Sequence, residues 1–101
     1  VSSVDELMRG LARMHESGVK LSWGPGRHTA GDNTFCYFVS PNENVVEFTS
    51  DLEEVDEASW VPTTYVPGPK TIDQWGTGRI ITGNVPHAEM SPDKGLWQVP
   101  A

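Results

Sequence analysis

Three side chains in the first half of the chain stand in places that packing alone does not explain. Glu47 interrupts Val45-Val46-Glu47-Phe48, an otherwise apolar run. Burying a lone carboxylate is costly unless it is paired or binds a metal. Tyr37 lies in a second apolar, β-branched run, Thr34 to Val39. Between the two runs lies Ser40-Pro41-Asn42-Glu43-Asn44, a turn-forming cluster of hairpin length. If Val39 pairs with Val45, Tyr37 falls opposite Glu47 on the same face. His28 follows Gly24-Pro25-Gly26-Arg27, read as a rigid turn that aims the imidazole. A carboxylate, an imidazole and a phenol on one concave sheet suit a metal that prefers oxygen and nitrogen ligands. Each also has an inert reading: Glu47 as a solvated edge-strand residue, Tyr37 as core, His28 as an ordinary loop residue. No one of them is decisive.

The elements that must position these residues follow from pattern. Ser3-Val4-Asp5-Glu6 fits a capping box, and Val4, Leu7, Met8, Leu11 and Met14 recur at helical spacing. Gly18 is a natural stop for that helix. Val19 to Trp23, Thr34 to Val39 and Val45 to Thr49 read as strands, the first ended by Gly24-Pro25-Gly26. The hairpin's positive φ is expected at an Asn. The order is helix, strand, strand, strand. From residue 61 onward the chain holds six of its eight prolines and little periodicity. There only Gly78 to Thr82 resembles a strand, and Trp75 and Trp97 look like docking anchors.

Bulk properties exclude several classes. The 101 residues allow one domain. A net charge of −7, with the seven basic residues scattered, disfavours nucleic acid and anionic membrane as partners. No apolar run approaches the roughly 20 residues of a membrane span. The first residues lack the features of a secretion signal, so a cytoplasmic location is expected. Cys36, the only cysteine, is expected to be buried and inert. Five carboxylates between Asp51 and Glu57 read as a solvated segment, and His15 as a solvated residue near a helix end.

Taken together, Gly26-Arg27-His28, a Tyr nine residues after the His and a Glu ten after the Tyr resemble type I extradiol dioxygenases. These are members of the vicinal oxygen chelate superfamily. The stretch Asp5-Glu6-Leu7-Met8-Arg9-Gly10 and Thr49-Ser50-Asp51 resemble the family as well. The resemblance spans about residues 1–58, with 59–101 like the family's variable tail. The hairpin departs from the family's Asp-Pro-Asp/Glu-Gly-Asn by lacking the glycine.

The resemblance implies an α+β fold: an incomplete βαβββ module over 1–58 and a long irregular tail, 59–101, packed on another segment or subunit. It implies Fe(II), with Mn(II) as the alternative, held by two His and one carboxylate. Glu47 matches that carboxylate. His28 matches a His that moves protons without holding the metal, and Tyr37 matches the Tyr that hydrogen-bonds the catecholate. The two His ligands fall before Val1, since His15 and His87 are on the wrong elements to replace them. A missing N-terminal segment or a partner chain is expected to supply them, in a homo-oligomer. These 101 residues are therefore not expected to work alone. The implied reaction is oxygen-dependent opening of a catechol-type ring next to its two hydroxyls. The alternatives are a non-catalytic small-molecule-binding module and a glyoxalase-like metal-dependent lyase or isomerase.

Overall fold

The computed structural model describes residues 1–82. His87 and Trp97 lie outside the described residues. The elements are α1 (Val4–Glu16), β1 (Leu21–Arg27), β2 (Thr34–Val39), β3 (Val45–Ser50), α2 (Pro69–Ile72) and α3 (Thr77–Thr82). The strands form one antiparallel sheet in the order β1-β2-β3. Helix followed by three strands is the expected order, matching a partial βαβββ module. No helix among the described residues is long and apolar enough to cross a membrane.

Helix α1 begins at Ser3, whose hydroxyl accepts the Glu6 amide at 3.0 Å. Only half of the capping box forms. The Glu6 carboxylate accepts the Ser2 amide at 2.7 Å, and the Ser2 hydroxyl, instead of the Ser3 amide. Those two bonds hold Glu6 below the usual carboxylate range. Gly18, at φ 78, ends the helix as expected. Leu7 and Gly10 are buried, whereas Met8 is 43% exposed and drops out of the predicted stripe.

The sheet has two unlike faces because its side chains alternate. Cys36 and Phe38 of β2 meet Leu7 in the core beneath α1, flanked by Leu11, Met14, Val19, Leu21 and Phe48. Cys36 is fully buried, which pushes its thiol up to about 12. A thiolate does not form there at neutral pH. Phe35 and Tyr37 occupy the other face, next to Trp23.

Strand β1 differs from the expectation. It runs through Gly24-Pro25-Gly26 to Arg27 instead of ending before them. Turn-forming residues are compatible with a strand here because the ladder slips twice, between Leu21 and Trp23 and between Trp23 and Gly26. Gly24 is needed at φ 111, where an added Cβ would stand 2.8 Å from the Phe35 carbonyl oxygen. In the β2–β3 turn, Glu43 takes the positive φ, at 65°, where an Asn was expected. The Glu43 amide donates to the Ser40 carbonyl at 2.9 Å, which fixes that turn.

Beyond β3 the acidic segment 51–57 is exposed throughout, as its charge requires. Gly78 to Thr82 falls within helix α3, not a strand. Five residues around Arg79-Ile80-Ile81 were too short a run for periodicity to decide. Residues 69–82 return to this chain's own sheet, where α3 packs on β1.

Leu7 is the anchor between α1 and the sheet. Leu7→Ala should lower unfolding free energy by about 2–5 kcal/mol, a large share of such a domain's total. The check is the midpoint of urea unfolding. A loss under about 1 kcal/mol would show that α1 is held by something else.

Candidate functional site

The predicted β2–β3 register is the observed one. Val39 pairs with Val45, and Tyr37 faces Glu47. His28 follows the last residue of β1 and is brought to the same face. Its Nε2 lies 3.0 Å from the Tyr37 hydroxyl and 3.4 Å from Glu47 Oε1. The three side chains singled out from sequence therefore meet at one point.

Hydrogen-bond chemistry fixes the proton on the imidazole. His28 Nδ1 is 2.8 Å from the Ile72 carbonyl oxygen, which can only accept. Nδ1 therefore carries a hydrogen. In the neutral ring Nε2 is left as an acceptor, and the Tyr37 hydroxyl can donate to it or to the Glu47 carboxylate. An imidazolium would instead present Nε2–H to Glu47. The imidazole is held flat as well, stacked on Phe35 at 4.0 Å between centroids and 14° between planes. Tyr37 in turn stacks on Trp23 at 5.4 Å and 14°. Aromatic contacts of this kind lock both rings in one rotamer each.

The Tyr37 phenol is pushed well above its ordinary value, first by burial and then by the Glu47 carboxylate beside it. Both effects penalise the phenolate. Tyr37 thus stays a hydrogen-bond donor at physiological pH.

The second half of the chain supplies a wall that the sequence did not announce. Residues 70–74 lie along 27–29. Thr29 N donates to Thr71 O at 3.2 Å, Gln74 N donates to Arg27 O at 2.7 Å, and Gln74 Nε2 donates to His28 O at 2.9 Å. Asp73 is buried at 3% exposure and accepts the Arg27 amide at 3.1 Å. The only local signal for Asp73 was its place two residues before Trp75, the spacing of an Asx turn. Trp75 lies under the Arg27 guanidinium, at 5.2 Å, and is 47% exposed. Between this wall and the sheet is a cleft of about 220 Å³ with Trp23, Trp75 and Arg79 among its lining residues.

Metal ligation was tested on the donors present. Among the described residues no three His, Cys, Asp or Glu side chains come together to hold a metal ion. Glu47, with its side chain 33% exposed, is a carboxylate open on one side. The donor set fits one position of a two-His, one-carboxylate site, not the whole of it.

A three-stranded sheet backed by a helix carries this constellation on its open face, and two known proteins resemble the chain. The chain is 29% identical over 76 residues to metapyrocatechase 2 of Cupriavidus necator, covering 75% of this chain and 24% of that protein. It is 49% identical to the Mn(II)-bound glyoxalase from Novosphingobium aromaticivorans, whose crystal structure it matches at a TM-score of 0.77. That match covers 97% of this chain and 32% of the other. No family model matches. The chain thus spans a quarter to a third of these proteins, and the resemblance to the vicinal oxygen chelate superfamily is borne out.

Tyr37 gives a direct optical test. Because burial raises its pKa, Tyr37→Phe should leave the phenolate absorbance change near pH 10 unaltered. The folded pKa lies above the unfolded one, so the protein's stability should fall as pH rises past about 10, where only the unfolded tyrosine ionises. In Tyr37→Phe that part of the fall should vanish. A loss of one tyrosine's signal near pH 10 on substitution would contradict the burial argument.

Proposed function

We propose that this chain is part of a metal-dependent extradiol dioxygenase that opens a catechol-type ring with O₂. The observation that carries the reading is the convergence of His28 Nε2 with the Tyr37 hydroxyl at 3.0 Å and Glu47 Oε1 at 3.4 Å. The similarity to metapyrocatechase 2 supports it. Glu47 is the carboxylate ligand of the metal, and two His from outside the described residues complete the set. When bound, an Fe(II) or Mn(II) ion would hold both diol oxygens and O₂ together on its open positions. Iron is the leading assignment, and the Mn(II)-bound structural relative keeps manganese in view.

The chain's own residues handle protons and orientation. Tyr37, kept neutral, donates a hydrogen bond to an oxygen of the bound diolate. His28 Nε2 takes a proton from the diol and returns it as the ring opens, its Nδ1–H held by Ile72 throughout. Trp23 and Phe35 pack behind these groups, Phe35 against the His28 ring and Trp23 against the Tyr37 ring. Cytoplasmic location and assembly into a homo-oligomer belong to the same proposal. Leu52, Val55, Trp60, Val61, Tyr65 and Val66 are exposed along the connection to α2. Their exposure supports packing of this stretch on protein outside the chain.

A second reading is a glyoxalase-like lyase or isomerase, favoured by the 49% identity to the Mn(II)-bound glyoxalase. Oxygen uptake separates the two. The dioxygenase consumes one O₂ per catechol opened, whereas a lyase or isomerase turns over its substrate without oxygen. An intact protein that binds metal but never consumes O₂ with any catechol would overturn the leading reading.

Two variants of the intact protein test the roles. Glu47→Ala should lose stoichiometric metal by elemental analysis, and retention of metal with full activity would remove it from the ligand set. His28→Ala should keep metal and substrate affinity while turnover falls about 10²- to 10⁴-fold. Metal loss in His28→Ala would make His28 a ligand instead.

A further inference from the structure

We propose that Asp73 is a positioning residue for His28, holding the 72–74 segment where the Ile72 carbonyl fixes the imidazole tautomer. Asp73 is buried at 3% exposure, and no cation pairs with it among the described residues. Three backbone amides hold its carboxylate. Oδ1 accepts from Arg27 N at 3.1 Å and from Trp75 N at 3.1 Å, and Oδ2 accepts from Gly78 N at 2.9 Å. Hydrogen bonds to a charged acceptor are about twice as strong as neutral ones, so a carboxylate is well suited to this junction.

The three bonds have different reach. Those to Trp75 and Gly78 shape the local turn into α3. The bond to Arg27 crosses 46 positions in sequence and grips the residue immediately before His28. With Arg27 N bound to Asp73 and Ile72 O bound to His28 Nδ1, two successive residues of β1's end meet two successive residues of the wall. Gly26 makes room for this: an added Cβ would stand 2.6 Å from Asp73 Oδ1 and 2.6 Å from Phe35 Cζ. The glycine that precedes Arg27-His28 therefore serves the carboxylate as much as the strand.

The consequence is chemical. Without the grip, only the flanking Thr29–Thr71 and Gln74–Arg27 bonds hold Ile72 O near the ring, and a neutral imidazole less firmly held there can carry its proton on either nitrogen. The tautomer protonated at Nε2 has no lone pair to face Tyr37 or a diol. Asp73 acts through His28 and touches neither substrate nor metal. Only its effect on turnover rests on the proposed function; its effect on the tautomer does not.

Long-range proton–nitrogen correlation spectra of the intact protein, labelled with ¹⁵N-histidine, read the tautomer directly. The His28 signals are assigned by their loss in His28→Asn. Recorded at a pH where the imidazole is neutral, the wild type should show the His28 hydrogen on Nδ1 alone. Asp73→Ala should show a mixture of tautomers and a kcat lower by about 10- to 100-fold. Asp73→Asn keeps an oxygen for Arg27 N and Trp75 N but sets its amide N–H₂ against Gly78 N–H, so it should restore the wild-type tautomer with some loss of stability. Asp73→Ser tests the same point if the alanine variant fails to fold. Its shorter hydroxyl can keep the local turn but not the reach to Arg27, so it too should mix the tautomers. A folded Asp73→Ala or Asp73→Ser with His28 still wholly Nδ1-protonated would overturn the proposal, as would a wild type protonated at Nε2. Tautomers that respond as expected in a protein that opens no catechol ring would leave Asp73's role standing and remove the dioxygenase reading.

Discussion

The pairing of β2 with β3 sets Tyr37 directly across from Glu47, and the rest of the site is arranged around that pair. A slip of one residue would carry Glu47 to the face beneath α1, where Cys36, Phe38 and Leu7 leave no partner for a carboxylate. The desolvation cost of that alternative is itself a force for the observed register. With the pair fixed, the Glu47 carboxylate stands on the open face beside His28. The helix side is then free to be a dry core.

His28 depends on the same sheet but is controlled from the opposite direction. Its ring is clamped between Phe35 below, Tyr37 and Glu47 at Nε2, and the Ile72 carbonyl at Nδ1. The first three come from the strands and the last from the chain's second half. This division explains why residues 69–82, poor in regular structure, return to β1. They supply the acceptor that the three strands cannot offer.

What was legible in the sequence is what short-range chemistry encodes. The helix, its start at Ser3, the β2–β3 hairpin and the Tyr37–Glu47 pairing all follow from alternation and spacing. So does the inertness of Cys36, an apolar-flanked thiol. The misreadings share another cause. Gly24-Pro25-Gly26 has the composition of a turn, yet it is a slipped strand because β2 and Asp73 approach closer than a side chain permits. Glu43 holds a positive φ because a four-residue turn closed by Ser40 requires it there, whatever the residue. Met8 fits the helical stripe in period but stays 43% exposed, lining an open cleft with Leu11 and Leu21. Asp73 was invisible because its decisive bond joins positions 46 apart, and no local pattern reports a contact of that range.

The account stands on Glu47 as metal ligand with His28 beside the metal and not on it. Anomalous diffraction from crystals of the intact protein, loaded with Fe(II) or Mn(II) and soaked anaerobically with catechol, tests this most directly. The account predicts an anomalous peak within bonding distance of the Glu47 carboxylate, with His28 Nε2 directed at a diol oxygen. A peak bonded to His28, or one remote from Glu47, would contradict it.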